Sequence, residues 1–393
     1  MGGQMGAAIS VARSLGRRGV QVHLLAEPDS PERYSRYVHY VDLRRPDGAE
    51  EPWDSFLLGS RSDYLRGAVL LACSDKGLET IIHRRQELSR KYLLDISDPA
   101  AQQRLLSKLS TYEAAAAAGI PTPLFWKVDG TEQLLEHKDE YVYPLLIKPL
   151  YSHKFAEVFA KKFLEAGNFD ELQTMYQQVR SHGLEVVLLE RIPGLDDGLC
   201  SYYTYIDETG GPLFHFTKRV IRRFPVNHGL ACYHVTDWNP EVRDLGLRLF
   251  MSAGLRGLGN VEFKKDERDG RLKVIECNAR FTAANGLVTA SGYDLGLLVY
   301  SRIVGRTPPA LLEVPYRTGL HLWHPGRDLM AFLELRRRHS LTFRAWIQSL
   351  AHRQLFPYFS LSDPAPSLAG LLRLPARATA FCRRRALDAR ANL

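Results

Sequence analysis

The chain has 393 residues, of which 45% are hydrophobic and 24% are charged. This length predicts two or three domains rather than a single core, and the sequence lacks the long apolar run of a transmembrane helix. The five cysteines show neither C-x-x-C nor His-linked spacing. They therefore predict reduced, mostly buried thiols in a cytoplasmic protein without a secretory signal.

The formal net charge of +8 is concentrated at the end of the chain. Arg327–Leu393 contains 12 arginines and 4 acidic residues, so the preceding part is near neutral. A neutral body argues against nucleic-acid binding, because domains of that kind carry a basic face. Ser367–Leu387 alternates apolar residues with arginines. It fits either a basic amphipathic segment that contacts a membrane or a partner, or a solvated terminal helix.

Residues 1–98 predict a parallel αβ domain. Ala7–Leu15 has the apolar spacing of a helix, and Val20–Leu25 and Ala68–Cys73 have the composition of strands. Alternating strands and helices are typical of a parallel sheet. A strand is expected before the glycine-rich turn that begins at Gly2, but the chain starts at this turn. Either the first strand is absent or the true start lies upstream.

Residues 99–325 predict an α+β domain with a small lid at about 122–195, and residues 326–393 predict a basic helical extension. One long helix is expected at Pro99–Ala118. Segments with helical spacing follow at Asp170–His182, Pro240–Gly254, Tyr293–Gly305, Asp328–Arg338 and Thr342–His352. Segments with strand composition lie at Pro144–Pro149, Glu185–Glu190, Leu199–Ile206, Leu213–Val220 and Leu230–Thr236.

The segment Gly259–Asn278 predicts two buried strands joined by a turn at Asp266–Gly270. Glu262 lies on the first strand, and Glu276 and Asn278 lie on the second. Since alternate residues of a strand share a face, Glu276 and Asn278 point the same way. Two carboxylates and an amide oxygen suit Mg²⁺ together with substrate phosphates. The alternative interpretation of each acid is a solvated surface residue.

Four motifs follow one another in a fixed order. They are Ser107–Leu109 before a helix ending in A-A-G-I-P-T-P, Pro144–Pro149, Leu188–Gly194, and the E-x-N hairpin. Their order and spacing resemble the ATP-grasp superfamily over roughly Gly2–Pro308. The resemblance implies an ATP-grasp fold, α/β plus α+β, with the N-terminal parallel αβ domain that precedes it.

Three shorter motifs are most similar to the carboxylate–amine ligase branch, such as D-aspartate ligase-like and carbamoyl-phosphate-synthase-like proteins. They are S-R-Y at 35–37, S-D-K-G at 74–77 and E-F-K-x-D at 262–266.

The resemblance implies a role for each matching residue. Contacts with the phosphates of ATP would come from two flexible cations, Lys108 and Lys148. The adenine slot would be lined by Glu190, Arg191 and Ile192, and the ribose hydroxyls would be bound by Asp197 or Asp196. Mg²⁺, with Mn²⁺ as the alternative ion, would be held by Glu262, Glu276 and Asn278. Arg280 would stabilise the transferring phosphoryl group.

Two further features come from the residues themselves. Among the basic residues of the strand near Leu213–Val220 and its exit, Arg219 is chosen as a second catalytic cation, the alternative being a solvated basic edge. The segment after Lys148 lacks the glycine-rich phosphate loop that is usual in the family. Phosphate-covering candidates there are His153, Lys154, Lys161 and Lys162.

The resulting expectation is an ATP- and Mg²⁺-dependent ligase. It would join a small-molecule carboxylate to an amine through an acyl phosphate. The alternatives are a kinase or carboxylase on the same fold, or a non-catalytic nucleotide-binding protein whose basic tail binds a membrane or partner. The expected location is cytoplasmic with peripheral membrane contact through the tail as an option. No nucleic-acid partner is expected, and an oligomer is compatible with the sequence.

Overall fold

A computed structural model describes residues 1–2, 6–45, 48–150, 155, 158–159, 162–306, 311 and 314–372. Within these ranges the strands form three sheets: a parallel pair, a four-stranded antiparallel sheet and a seven-stranded sheet. The chain is therefore α/β at its start and α+β beyond, which is the fold class predicted from the sequence.

The parallel pair and four helices form the N-terminal layer. Its elements are α1 (Ala7–Gly16), β1 (His23–Leu24), β2 (His39–Tyr40), α2 (Trp53–Leu58), α3 (Asp75–His83) and α4 (Arg85–Ser89). The Gly2 N–H donates to the Leu25 carbonyl at 2.7 Å, and the Cys73 N–H donates to the Met1 carbonyl at 2.9 Å. Residues 1–2 thus lie between two extended segments of this layer.

The two strands predicted in this layer are shorter than expected. Only His23–Leu24 of the first is paired as a strand, and the second contributes a single parallel bridge from Val69 to Leu93. The apolar composition marked the buried segments correctly, but it does not determine how many of their residues pair.

The long helix predicted at Pro99–Ala118 is two helices, α5 (Pro99–Leu106) and α6 (Lys108–Ala117). Ser107 has extended backbone angles, and its Oγ accepts a hydrogen bond from the Ser110 N–H. The prediction of one continuous helix was wrong because Ser107 caps a second helix. This cap makes Lys108 the first residue of α6.

The small sheet has the strand order β3–β6–β4–β5 and is antiparallel throughout. Its strands are β3 (Phe125–Lys127), β4 (Leu145–Pro149), β5 (Leu164–Ala166) and β6 (Val186–Glu190), accompanied by α7 (Thr131–Glu136) and α8 (Phe169–Ser181). Asn168 caps α8, as predicted, by accepting a hydrogen bond from the Glu171 N–H at 3.0 Å.

The large sheet has the order β11–β10–β7–β8–β9–β12–β13. Its strands are β7 (Leu199–Ile206), β8 (Phe216–Phe224), β9 (Leu230–Thr236), β10 (Gly257–Lys265), β11 (Leu272–Asn278), β12 (His321–Trp323) and β13 (Gln354–Leu355). Helix α9 (Pro240–Ser252) covers the sheet face that carries Tyr202 and Val261. A Cβ at Gly246 would lie 2.4 Å from the Tyr202 ring, so this close packing requires glycine.

The register of the large sheet aligns four polar side chains in one row on its other face. Glu276 pairs with Glu262, Glu262 with Ser201, and Ser201 with Lys218. Directly opposed residues of paired strands share a face of the sheet. The predicted hairpin is confirmed, and its acids stand side by side.

The part of the chain from residue 285 onward is mostly helical, and its strands β12 and β13 belong to the large sheet. Its helices are α10 (Asn285–Ser291), α11 (Leu295–Ile303), α12 (Pro325–Arg337), α13 (Phe343–Ser349) and α14 (Ala365–Leu372). β13 pairs with β12, and Arg222 of β8 is ion-paired with Asp328 of α12 at 2.6 Å in a buried site. Residues 326–372 are therefore joined to the sheet rather than detached from it. Residues 373–393, which carry most of the predicted basic segment, lie outside the described residues.

A buried ion pair connects α1 to the chain near α14. Arg13 donates through Nε to Asp363 Oδ2 at 2.9 Å and through Nη2 to the Tyr358 carbonyl at 2.6 Å. Asp363 also accepts from Ser35 Oγ at 2.7 Å and from the Arg36 N–H at 3.0 Å, and it is 1% exposed. Every oxygen of this carboxylate is thus paired, as a buried charge requires.

Two composition-based expectations can be compared with the structure. Cys73, Cys200, Cys232 and Cys277 are buried and free, as predicted. Within the described part of the chain, no helix combines the length and apolar character needed to cross a membrane.

We predict that Asp363→Ala destabilises the fold by about 3–5 kcal/mol, because it leaves Arg13 as a buried charge without its carboxylate. Chemical denaturation measures the loss. Lys127→Ala removes one partner of an exposed pair with Asp129 and should leave the free energy of unfolding nearly unchanged. Equal effects of the two substitutions would contradict the importance of the buried pair.

Candidate functional site

A cavity of about 430 Å³ lies between the small sheet, the large sheet and the N-terminal layer. The large sheet contributes residues from β7 to β11, the small sheet contributes Lys148, and α3 and α6 contribute Asp75 and Lys108. A narrower apolar slot of about 70 Å³ adjoins it and shares Lys148 with it.

The acidic wall of the cavity comes from the hairpin. Glu262, Glu276 and Asn278 all line it. Burial, and then repulsion by the Glu276 carboxylate, raises the pKa of Glu262. The Asn278 amide nitrogen donates to Asn260 Oδ1 at 3.2 Å, which leaves the oxygen of this amide as its ligand atom.

This donor set fits a hard divalent cation. Within the described ranges no group of three His, Cys, Asp or Glu side chains is placed to hold a metal ion. Two carboxylates and one amide oxygen would therefore provide only some of the ligands of a metal ion. Mg²⁺ is commonly bound in this way, together with substrate phosphates.

Two lysines face this acidic wall. Lys148 lies near the end of β4, and Lys108 begins α6. Burial, and then the nearby Lys108 charge, lowers the pKa of Lys148 to about 8. Burial likewise lowers the pKa of Lys108. The Glu276 carboxylate offsets part of this effect at both lysines. Two desolvated ammonium groups in one cavity are typical of a site that binds an anion.

The apolar slot lies between the sheets. Leu146 and Leu189 line it from the small sheet, and Leu199 and Ile275 line it from the large sheet. Arg191 and Ile192 also line the slot. A slot of this kind suits a flat aromatic group, with nearby backbone groups for its polar edge.

The side chain of Glu190 is held in a charged cluster rather than left free in the slot. It accepts from Lys273 Nζ at 3.1 Å and from Arg268 Nη2 at 2.8 Å, and both cations also contact Asp266. The Arg268 guanidinium holds the pKa of Asp266 well below its usual range. The carboxylate of Glu190 therefore anchors the segment that lines the slot.

The two aspartates that follow differ in position. Asp196 is buried, pairs with Arg223 and accepts from the Asn227 N–H at 3.0 Å. Asp197 is exposed and does not line the slot or the central cavity as the structure describes them. Neither side chain is brought to the nucleotide-sized space, so a direct ribose contact from either is not supported by its position.

Of the two predicted catalytic arginines, the structure places one at the cavity. Arg280 lines it, is 5% exposed, and donates through Nε to Asp75 Oδ1 at 2.6 Å. Arg219 does not line it, because the alternation of β8 turns Arg219 to the opposite face, where it pairs with Asp237 at 3.4 Å. Arg219 was therefore the wrong residue of this strand, because its neighbour Lys218 is the one that faces the cavity.

Several cavity residues were missed by the sequence interpretation. Lys218, buried beside Ser201, donates to its Oγ at 3.0 Å. Lys264 lines the slot, and its Nζ donates to the Ile192 and Gly194 carbonyls at 3.0 and 2.8 Å. Burial lowers the pKa of Lys264 to about 8. The side chains of β8 alternate between the two faces of the sheet. Counting this alternation from the residues paired with the hairpin could have selected Lys218 instead of Arg219.

The candidates for covering the phosphates are mostly outside the described residues. His153, Lys154 and Lys161 fall there, whereas Lys162 is described and lines the cavity.

The chain is similar to known proteins in sequence and in fold. No family model matches the chain. A D-aspartate ligase from Enterococcus faecium (strain Aus0004) is 26% identical over 329 residues, which cover 79% of this chain and 77% of that protein.

Solved structures share the fold at lower identity. The biotin carboxylase domain of Hydrogenobacter thermophilus 2-oxoglutarate carboxylase, in complex with MgADP, ADP and bicarbonate, has a TM-score of 0.64 at 17% identity; the alignment covers 81% of this chain and 71% of that one. N5-carboxyaminoimidazole synthetase from Staphylococcus aureus, complexed with ADP, has a TM-score of 0.61 at 16% identity, with 82% and 79% coverage.

The fold is therefore that of the ATP-grasp proteins, as the sequence resemblance predicted. At 16–17% identity these solved structures show the fold alone, and the relative that bears on activity is the D-aspartate ligase.

We predict that Glu262→Gln raises the melting temperature of the metal-free protein by about 2–4 °C. This is the shift that a gain of ~1 kcal/mol in the free energy of unfolding gives in a domain of 150–250 residues. An acid whose folded-state pKa is raised costs stability once the pH exceeds its unfolded value, so removing its charge stabilises the fold at neutral pH. Differential scanning calorimetry in a chelating buffer measures this shift. Glu267→Gln, on the exposed turn of the same hairpin, should leave the melting temperature unchanged. A lower melting temperature for Glu262→Gln would contradict the raised pKa.

Proposed function

We propose that this chain is an ATP- and Mg²⁺-dependent ligase that joins a small amino-acid carboxylate, of the D-aspartate kind, to an amine. One observation carries the proposal: desolvated lysines from α6 and the small sheet face paired acids of the large sheet across a single cavity. The substrate class comes from the curated relative, whose name is D-aspartate ligase.

ATP would occupy the slot and the adjoining part of the cavity. The adenine ring would lie between the apolar residues of the two sheets, with its polar edge against the backbone of 190–192. Lys108 and Lys148 would bind phosphate oxygens as point charges. Lys264 would fix the position of the segment at Ile192, because it is bonded to that carbonyl.

Glu262, Glu276 and Asn278 would hold Mg²⁺, which supplies charge neutralisation of the phosphates when bound. The two opposed carboxylates would favour binding of the ion, because a cation relieves their repulsion. Arg280 would lie beside the transferring phosphoryl group, with Asp75 of α3 setting the direction of its guanidinium.

The chemistry would run in two displacements. An oxygen of the substrate carboxylate attacks the γ-phosphorus, the bond from that phosphorus to the β,γ-bridging oxygen breaks, and ADP leaves. The amine nitrogen then attacks the acyl carbon, phosphate departs and the amine loses a proton to solvent. Lys218 and Arg280, which both line the cavity, would stabilise charge that develops on the acyl and phosphoryl oxygens.

Other attributes remain predictions from the sequence. The substrates are small molecules. We propose cytoplasmic activity, no nucleic-acid partner, and peripheral membrane contact through the basic C-terminal tail. Oligomerisation and the boundaries at 98, 122–195 and 325 are part of the same proposal.

We predict that Glu276→Gln lowers the rate of substrate-dependent ADP release at least about 100-fold, the loss typical of removing one preorganised electrostatic contact. A coupled ADP assay with D-aspartate and a panel of amines measures it. Glu267→Gln makes the same charge change on the same hairpin outside the cavity, so it should retain wild-type activity. Bicarbonate-dependent turnover, or a stable phosphorylated product, would instead support a carboxylase or a kinase.

A second prediction concerns proton uptake. Near pH 8 Lys148 is about half protonated, and phosphate binding favours its charged form. Binding of MgADP should therefore take up protons near pH 8, and the affinity should fall as the pH rises above 8. Calorimetry in buffers of different ionisation enthalpy measures the uptake.

Lys148→Arg keeps the charge but does not titrate in this range, so it should abolish the uptake and flatten the pH profile. Lys264→Arg is the matched control, since Lys264 has a similar pKa away from the proposed phosphate position. Unchanged uptake in Lys148→Arg would exclude Lys148 as the titrating group.

A further inference from the structure

One buried residue of the hairpin lies beside the proposed metal ligands without being one of them. Asn260 is on β10, two positions before Glu262, and it is 0% exposed. In register it stands opposite Asn278, as Glu262 stands opposite Glu276. Alternate residues of a strand, and directly opposed residues of paired strands, share a face. The four side chains therefore form one block, of which Asn260 is the member that does not line the cavity as the structure describes it.

The orientation of the Asn260 amide is fixed by a backbone carbonyl. Its Nδ2 donates to the Tyr202 carbonyl of β7 at 3.2 Å. Because a carbonyl only accepts hydrogen bonds, the amide nitrogen has to face Tyr202, and Oδ1 faces the other way. That oxygen accepts from Asn278 Nδ2 at 3.2 Å. Asn278 is thus left with its own Oδ1 for a ligand in the cavity that it lines.

Reversing the Asn278 amide is costly in this environment. A half-turn would place its oxygen against Asn260 Oδ1, so that two acceptors would face each other without a proton between them. Asn260 cannot turn as well, because its oxygen would then face the Tyr202 carbonyl. Leaving a buried polar atom unsatisfied in this way costs about 1–3 kcal/mol.

Of the three proposed ligands, the amide is the one that benefits from being held. A carboxylate presents an oxygen whichever way it is turned, so Glu262 and Glu276 do not depend on an orienting partner in this way. An amide presents either an oxygen, which binds a hard cation, or an NH₂ group, which does not. The hydrogen bonds that run from Tyr202 through Asn260 therefore act on the ligand that is able to point the wrong way.

We propose that Asn260 is a positioning residue for the metal site, which holds the Asn278 amide with its oxygen toward the ion. It acts through Asn278 rather than by binding the ion itself. This inference rests on the proposed role of Glu262, Glu276 and Asn278 in holding Mg²⁺. It has a specific consequence: substitution of Asn260 weakens metal binding only while residue 278 is an amide.

The experiment measures binding of Mn²⁺ to the full-length protein in the presence of ADP, from the electron paramagnetic resonance signal of the free ion. Four proteins form a cycle: wild type, Asn260→Ala, Asn278→Asp and the double variant. Asn260→Val is measured in parallel, because a β-branched residue suits a buried strand while it also removes both amide contacts.

The matched control is Asn285→Ala. Asn285 is also a buried amide, 1% exposed, and its Nδ2 donates to Ser10 Oγ. It does not line the cavity as the structure describes it. The control therefore removes a buried amide and its hydrogen bond away from the proposed metal ligands.

We expect Asn260→Ala and Asn260→Val to raise the dissociation constant of Mn²⁺ about 10-fold, the effect typical of removing a residue that orients a metal ligand. When Asn278→Asp is already present, substitution of Asn260 should leave the dissociation constant unchanged or lower it, because the carboxylate presents an oxygen in either orientation. Asn285→Ala should bind Mn²⁺ like wild type.

The ADP assay separates positioning from general damage. In Asn260→Val the Mg²⁺ concentration that gives half-maximal ADP release should rise about 10-fold, while the maximal rate at saturating Mg²⁺ stays that of wild type. A lower maximal rate that excess Mg²⁺ does not restore would assign Asn260 a structural role and overturn the inference.

Equal Mn²⁺ binding by wild type and both Asn260 variants would also overturn it, as would the same loss of affinity with and without Asn278→Asp. If Glu276→Gln binds Mn²⁺ like wild type, the metal site itself is refuted, and the inference with it. The expected cycle without ADP release from any acid would refute the ligase and leave Asn260 as a positioning residue. Mg²⁺-dependent ADP release without the expected cycle would refute the inference and leave the ligase proposal standing.

Discussion

Burial of charge in the cleft between the small and the large sheet is the constraint on which the rest of the structure depends. The cations Lys108 and Lys148 come from α6 and the small sheet, whereas Glu262 and Glu276 come from the large sheet. Charges removed from water require partners. A cavity of about 430 Å³ lies between the two walls, and in the proposed function the phosphates of a nucleotide and a metal ion would occupy it.

The shape of this cleft is stabilised by ion pairs between residues around it. Glu190 is fixed by Lys273 and Arg268, and Arg222 is fixed by Asp328. A β-bulge near Arg222 interrupts the alternation of β8, which directs Arg222 to α12 while Arg223 lines the cavity. The same strand thus supplies one structural arginine and one that faces the ligand space.

Local patterns predicted much of this arrangement. The E-x-N hairpin and Lys148 could be found because strand alternation fixes which side chains share a face. Arg219 was selected instead of Lys218 because composition identifies a basic strand but not which of its side chains share a face with the acids. That face is set by the pairing of Lys218 with Ser201 on the neighbouring strand. Asp197 was predicted to bind the ribose, with Asp196 as the alternative. The pairing of Asp196 with Arg223 is a tertiary contact that the sequence does not reveal. The break at Ser107 required recognition of a cap inside an apparently continuous helical pattern.

The Arg13–Asp363 pair joins residues 350 positions apart. A chain made from its N-terminus emerges at about 5–20 residues per second, so the first helix is synthesised well before its ionic partner exists. Contacts of such long sequence separation form late, because closing the loop costs entropy before the contact contributes. The N-terminal layer, although it is translated early, is consequently completed only after residue 363 has been made, which couples its folding to the synthesis of a segment 350 positions away.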